Sequence, residues 1–290
     1  GCSSGGRVSC AGDAAYMAQL GTLGGQLRNT LRALDAAGTA IFSLPGYALE
    51  KHLVLLGDKY RETVSYPLDK ISSEQNFLRA LFSDMAAYIS RPYSAVARNL
   101  GNFSGLFADN TATISQTVNV VLPSSGSKDY MTGLYVMPGH TVTLKRSDSS
   151  GSTVTIGLNM IRDTTWLFNT NGLDRPTQIS SPRVPLVSGQ SVSITSPYGG
   201  PLFLFLTAAS GAAQTVTVQV DGVITHPVLR DATDPAQVAD FQAAVASTTT
   251  NWIGVTTDML TVHSTLDHFR QTMQNYGNNM AKLASDIWIF

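Results

Sequence analysis

The sequence predicts an α+β multidomain protein with an N-terminal helical bundle, a central antiparallel β-sandwich and a C-terminal helical segment. Apolar residues recur at three- and four-residue steps through residues 13–37 and again through residues 72–90, which is the spacing of one buried helix face. Between residues 113 and 223, short apolar or alternating runs are separated by turns rich in Gly, Pro and Ser, as in a sandwich. Beyond residue 231 the helical spacing returns.

Length and composition limit the possible functions. The chain has 290 residues, of which 43% are hydrophobic, enough for one large or two modest cores. Only 13% are charged and the net charge is -1, which removes the electrostatic case for binding nucleic acid or anionic membrane surfaces. A surface covered by uncharged polar residues is common in secreted bacterial proteins.

Residues 1–12 form a Gly- and Ser-rich tail that holds both cysteines, Cys2 and Cys10. Three interpretations stay open: an ordinary tail with two thiols, a Cys2–Cys10 disulfide formed in an oxidising compartment, or a lipidated Cys2. Lipidation of Cys2 is considered because Gly1–Gly6 resembles the end of a lipoprotein signal followed by the lipidated cysteine. The sequence has no apolar stretch of transmembrane length, so we expect a secreted protein or a cell-surface lipoprotein.

Residues 13–110 are predicted to be a helical domain. The first helix should end at Gly38, a residue typical of helix C-termini. A capping box of Ser72 and Gln75 should start the helix that runs up to Arg91-Pro92. The apolar stripes are interpreted as core. The other predicted helical stretches are residues 41–60, broken near Pro45-Gly46, and 94–100.

Residues 111–230 are predicted to be the sandwich. Its clearest part is a strand at residues 193–196, a Ser-Pro-Tyr-Gly-Gly-Pro turn, and the entirely apolar run Leu202–Leu206. A run without polar residues indicates burial on both faces. The predicted strands are residues 117–122, 130–136, 140–146, 154–160, 184–187, 191–196, 201–206 and 215–220.

Residues 231–290 are predicted to be a helical linker. Asp234 can serve as the N-cap of one helix, with Pro235 at its first position. A second helix is predicted from Thr261 to Lys282.

The sequence offers few residues for catalysis. His263 and His268 are five residues apart, roughly 140° around a helix, so they would not share a metal ion there. Glutamate occurs only at positions 50, 62 and 74, and none follows a histidine, so the chain has no H-E-x-x-H motif. It also has no P-loop.

Two aromatic residues in predicted β-connections, Trp166 and Tyr198, are candidates for glycan contacts. Exposed rings of this kind stack on sugars. The alternative is that each ring closes one end of the sandwich core.

Three tracts in order resemble the enhancin-like metallopeptidases: TGLYVMPG at 132–139, RVP at 183–185 and SPYGGPL at 196–202. The resemblance covers about residues 110–226, and the helical start is similar to the N-terminal part of a secreted bacterial member. It implies an accessory β-sandwich in a zinc peptidase that degrades mucins and other glycoproteins. In such enzymes zinc activates a water and a glutamate takes its proton.

The family's zinc-binding motif and its downstream glutamate are missing, so no catalytic or metal-binding residue is carried over. We therefore expect the front part of a longer enzyme, cut before a catalytic domain that holds the zinc. Its expected partners are that catalytic domain and an O-glycosylated substrate, with no nucleic acid and no transmembrane segment. The alternative is a stand-alone glycan- or protein-binding module, or a structural lipoprotein.

Overall fold

The computed structural model describes residues 2–5, 7–10, 13–69, 71–95, 97–101, 103–160, 172–256 and 261–288. The helices are α1 Asp13–Ala36, α2 Ala48–Arg61, α3 Glu74–Met85, α4 Pro235–Ser247, α5 Leu266–Asn275 and α6 Met280–Trp288, with a short 3₁₀ helix at Ile41–Ser43. The strands are β1 Cys2–Gly5, β2 Arg7–Cys10, β3 Leu68–Asp69, β4 Ile114–Leu122, β5 Ser127–Val136, β6 Thr141–Arg146, β7 Thr153–Leu158, β8 Gly172–Leu173, β9 Val184–Pro185, β10 Ser191–Thr195, β11 Gly200–Thr207, β12 Gln214–Thr225, β13 Val228–Leu229, β14 Trp252–Thr256 and β15 Thr261–Thr265.

The centre of the chain is a curled antiparallel sheet, which in the described residues has eight strands. One half has the order β10-β6-β12-β4 and the other β5-β11-β7-β9. Strand β12 joins the halves because it bends at a register shift between Asp221 and Val223. Gly222 at this bulge has φ +89°, and a Cβ there would lie 2.6 Å from the carbonyl oxygen of Thr141. The predicted α+β class is confirmed, while the domain boundaries stay a prediction.

Strand β11 is buried on both faces, as its apolar sequence predicted. Leu202, Leu204 and Leu206 point into the core between the two halves of the sheet. Phe203 and Phe205 point the other way and pack with Met131 and Val228. The second cluster lies beside the C-terminal elements, so β11 separates two packed layers.

The helical region departs from three predictions: the Ser72 cap, the helix at 94–100, and the helix running up to Arg91-Pro92, since α3 ends at Met85. The Ser72 cap is wrong, because α3 has Ser73 as its N-cap without a side-chain bond, and the Asp69 carboxylate accepts from the amides of Ile71 and Ser72. The predicted helix at 94–100 is also wrong, since the described residues there are irregular. Helix α3 ends at Met85 because the chain then hydrogen-bonds to β10: the Thr195 amide donates to the Ile89 carbonyl at 2.8 Å.

The C-terminal segment is not helical throughout. Strand β13 pairs in parallel with β14, which pairs antiparallel with β15. The helix predicted at Thr261–Lys282 is wrong in its first turns, because residues 261–265 are β15 and the Thr265 hydroxyl then caps α5 by accepting from the His268 amide. The Asp234 cap is confirmed, since its carboxylate accepts from the Ala236 amide at 2.9 Å. No helix in the described ranges has the length and apolarity that a membrane crossing needs.

The backbone register of the β1–β2 hairpin generates a prediction about the two cysteines. Cys2 lies directly opposite Cys10 in this antiparallel pair. We expect a disulfide in oxidised protein, because opposed residues of such a pair have a Cα spacing within the range that a disulfide uses. Mass spectrometry of the unreduced N-terminal peptide should find it lighter by two hydrogen atoms than after reduction. Alkylation of both thiols without reductant, or a lipid mass on Cys2, would contradict the disulfide.

Candidate functional site

The helical region meets the sandwich through a group of buried charges that we call the helix–sandwich seam: Asp58, Arg61, Asp84, Arg91 and Tyr198. The Asp58 carboxylate accepts from Arg61 Nη1 at 2.7 Å and from Arg91 Nη1 and Nη2 at 2.5 and 2.9 Å. Both guanidinium side chains are at most 1% exposed. Burial opposes the charge of Arg91, but hydrogen bonds and attraction from Asp58 prevail and raise its pKa. One carboxylate thus fixes α2 against the segment that leads into the sandwich.

A second buried carboxylate connects α3 to the turn before β11. Asp84 accepts from the Thr177 amide at 2.8 Å, from the Thr177 hydroxyl at 2.5 Å and from the Tyr198 hydroxyl. Burial raises the pKa of Asp84, although these hydrogen bonds act in the opposite direction. The Arg61 guanidinium lies 5.2 Å from the centre of the Tyr198 ring, which links the two carboxylate clusters.

Tyr198 therefore lacks the exposed ring face that a glycan contact requires. Its side chain is buried, with only 3% of the residue exposed, and its hydroxyl is bonded to Asp84. Burial and the negative charge of Asp84 raise the pKa of this phenol well above its usual range. The ring is packed in the cluster between α3 and the sandwich. Trp166, the other candidate, lies outside the described residues.

At the glycine-rich turn that places Tyr198, the sequence tracts 132–139 and 196–202 pack directly against each other. Gly199 has φ +64°, and a Cβ there would lie 2.3 Å from the Val136 carbonyl oxygen. The Gly139 amide donates to the Ser196 carbonyl at 2.9 Å. Only residues without a side chain allow this close approach. The two tracts are one packed unit that orients Tyr198 towards α3.

A third carboxylate, Asp35 on α1, lies beside the seam. It accepts from the Ser90 amide at 2.7 Å, and burial raises its pKa to about 6. The cavity that it shares with Arg28, Arg32 and Tyr198 measures about 20 Å³, which is room for one water and not for a substrate.

An open groove of about 420 Å³ lies between the C-terminal sheet and the segment that follows β8. Its volume falls in the range of small-molecule sites. The Trp252 ring in its wall is turned inward, because Nε1 donates to the Phe103 carbonyl at 3.1 Å. The described residues that line it are Phe103, Asp174, Arg175, Trp252, His263, Ser264, Thr265 and His268.

The histidines are arranged differently from the sequence prediction. His263 lies on β15 and His268 on α5, so helical spacing does not relate them. His263 instead meets His226, with ring centres 5.8 Å apart, a pair that sequence spacing does not reveal. In the described part of the chain, no three His, Cys, Asp or Glu side chains are grouped to hold a metal ion. These residues do not fit a peptidase zinc, so no catalytic step is assigned to them.

Comparison with protein families finds two matches in succession. The model described as the immunomodulating metalloprotease helical domain matches residues 1–92. The model of the N-terminal domain of M60-like peptidases matches residues 108–221.

Individual relatives match nearly the whole chain. The immunomodulating metalloprotease of Pseudomonas aeruginosa is 28% identical over 268 residues, which are 90% of this chain and 29% of the relative. The structure of IMPa from P. aeruginosa with an O-glycopeptide has a TM-score of 0.81 at 28% identity and covers 97% of this chain. That of IMPa metallopeptidase with T-antigen has a TM-score of 0.79 at 27% identity and covers 96%. The chain spans only 32% of each of these solved chains.

The Asp58 cluster predicts a large loss of stability when its charge is removed. Asp58→Asn should lower the free energy of unfolding by about 3–5 kcal/mol, because two buried guanidiniums lose the carboxylate that pairs with both. Denaturant unfolding at neutral pH measures the change. Glu62→Ala, which removes the exposed partner of Lys59, should cost at most about 1 kcal/mol. Equal effects of the two substitutions would contradict the proposed importance of the buried cluster.

Because the Tyr198 hydroxyl donates to buried Asp84, we expect its removal to lower stability and to leave glycan binding unchanged. Tyr198→Phe should lower the free energy of unfolding by about 1–3 kcal/mol, because buried Asp84 loses one of its donors. Tyr47→Phe, at an exposed position, is the matched control and should stay within about 0.5 kcal/mol. An unchanged stability of Tyr198→Phe together with weaker binding to immobilised mucin would restore Tyr198 as a glycan contact.

Proposed function

We propose that this chain is a member of the enhancin-like, or M60-like, peptidases and forms the non-catalytic N-terminal part of a zinc metalloendopeptidase. The proposed substrates of the whole enzyme are O-glycosylated, mucin-like glycoproteins. The observation that carries the proposal is the similarity along 97% of this chain to IMPa, which was solved with an O-glycopeptide. The zinc belongs to the catalytic domain in this proposal, because the described residues of this chain do not supply its ligands.

The proposed role of residues 1–290 is to support the catalytic domain and to help position the substrate. The helix–sandwich seam supports a rigid platform, since Asp58 and Asp84 connect α2 and α3 to the segments around β10 and the turn before β11. Buried, fully paired carboxylates resist relative movement of the elements that they join. A rigid platform holds a neighbouring domain in one orientation.

We also propose that the protein is exported, either secreted or held at the cell surface through a lipid on Cys2. Its low charge content and the hairpin register of its two cysteines are consistent with an oxidising, extracellular environment. Its proposed partners are the O-glycosylated substrate and its own catalytic domain.

The second candidate function is a stand-alone glycan- or protein-binding module. The open groove of about 420 Å³ favours it, because Asp174, Arg175 and His268 bring polar groups to a wall that also contains aromatic rings. In this alternative, residues 1–290 bind a ligand without any reaction.

The two functions are separated by a cleavage assay with a threonine peptide carrying the T-antigen disaccharide and the same peptide without sugar. Residues 1–290 alone should cleave neither peptide. The native protein from its source should exceed 30.9 kDa, cleave the glycopeptide only, and lose this activity with a chelator.

Cleavage by residues 1–290 would overturn the non-catalytic role. A native mass of 30.9 kDa, with glycopeptide binding and no cleavage, would instead establish the binding module.

A further inference from the structure

Two histidines meet where the C-terminal sheet packs on the sandwich. His226 lies between β12 and β13, and His263 lies on β15 opposite Gly254. Their ring centres are 5.8 Å apart and their planes meet at 79°. The pair therefore joins two parts of the chain that a shift of the C-terminal sheet would separate.

Aromatic rings surround both imidazoles. The Tyr135 ring lies 5.8 Å from His226, and Trp252 and Phe203 lie 5.0 and 6.3 Å from His263. All four imidazole nitrogens are buried, and none has a hydrogen-bond partner among the described residues. Buried imidazoles ordinarily have a partner for at least one nitrogen. These two are packed as neutral aromatic rings.

Among the described residues, the aromatic rings that contact the two imidazoles carry no charge that would stabilise a proton on either ring. Burial, followed by the neighbouring His263, lowers the pKa of His226 to about 3, and burial lowers the pKa of His263 to about 4. The nearby Arg230 is cationic and donates to the Met131 carbonyl at 2.7 Å. Near His226, helix α4 and the residues after it contribute only the uncharged Ala244, Ser247, Thr248 and Thr249.

On the other side of His263 the groove holds Asp174, Arg175 and His268. Burial is the cause of the lowered pKa of His263. The Tyr135 hydroxyl donates to the Ser104 carbonyl and is not directed at His226. A proton on the pair would therefore remain without a counter-ion as long as the rings stay packed.

Beside the pair lies a close-fitting apolar patch that holds the C-terminal sheet on the sandwich. Gly254 faces Met131, and a Cβ on Gly254 would lie 2.1 Å from the Met131 sulfur. Phe203 and Phe205 pack with Met131 and Val228 in the same layer. A layer of this kind solvates a charge only by opening to water.

We propose that His226 and His263 form an acid-sensitive latch that holds the C-terminal sheet, β13 to β15, on the sandwich and releases it when either ring is protonated. The sheet stays docked while both rings are neutral. In acid, protonation favours the open form, in which the imidazoles reach water. The sandwich, whose core lies between its two halves, stays folded.

The pH range follows from the direction of the two shifts. Both folded-state pKa values lie below the ordinary value of 6.5, so the docked state has its full stability above about pH 6.5 and loses it as the pH falls towards 4. At about pH 4.5, each imidazole should raise the opening equilibrium constant by about 100-fold relative to neutral pH.

Hydrogen exchange of residues 1–290 between about pH 7.5 and 4.5, corrected for intrinsic exchange rates, tests the latch. Peptides from β14 and β15 should lose protection by about 100-fold or more, while peptides from β6 and β10 keep theirs. Constant protection of β14 and β15, or simultaneous loss in both regions, would overturn the proposal.

The same measurement on variants assigns the effect to the pair. His226→Phe and His263→Phe place rings of similar size in the cluster and should each reduce the acid-induced loss by about 100-fold. His52→Gln, on the exposed surface of α2, should keep the unmodified profile. If the two phenylalanine variants also keep that profile, the histidine latch is wrong. The exchange pattern of the unmodified protein decides the question if a variant fails to fold.

Discussion

The structure depends on one buried carboxylate, Asp58, which pairs with two guanidiniums at the junction of the helices and the sandwich. Taking three charges out of water costs several kcal/mol per ion, and this cost is offset only while the partners stay in contact. The cluster therefore specifies the position of α2 relative to the chain at Arg91. The Thr195 hydroxyl on β10 donates to the Arg91 carbonyl, so the cluster also fixes β10 relative to α2.

The two contacts of the sandwich differ in chemistry. Towards the helices, carboxylates Asp35 and Asp84 accept from amides, hydroxyls and a phenol, so the contact is polar and directional. Towards the C-terminal sheet the contact is mainly aromatic and apolar, with Arg230 donating to the Met131 carbonyl, and two neutral imidazoles have no hydrogen-bond partner among the described residues. A polar contact selects one orientation, whereas an apolar contact with buried bases responds to protons.

These contacts bear on the proposed role in a larger peptidase. The chain spans about a third of the solved IMPa chains that it resembles. Its Tyr198 ring serves the internal junction with α3 and offers no surface for substrate. Any substrate contact by the described residues must come from other surfaces, such as the groove beside Trp252. The arrangement favours a support function, in which most of the polar residues that stand out are used for internal contacts.

The sequence by itself determined the strands of the sandwich and the cap of α4. Alternating residues, turn glycines and the Asp234-Pro235 pair act through neighbours in the chain, so their local pattern specifies local structure. It also determined that β11 has two buried faces and, through three short tracts, the resemblance to the enhancin-like metallopeptidases. Only the tertiary structure decided that residues 261–265 form a strand, because their partner β14 pairs through hydrogen bonds that local spacing does not encode. Likewise, Tyr198 and Asp84, or His226 and His263, are far apart in the chain, and only folding brings these pairs together.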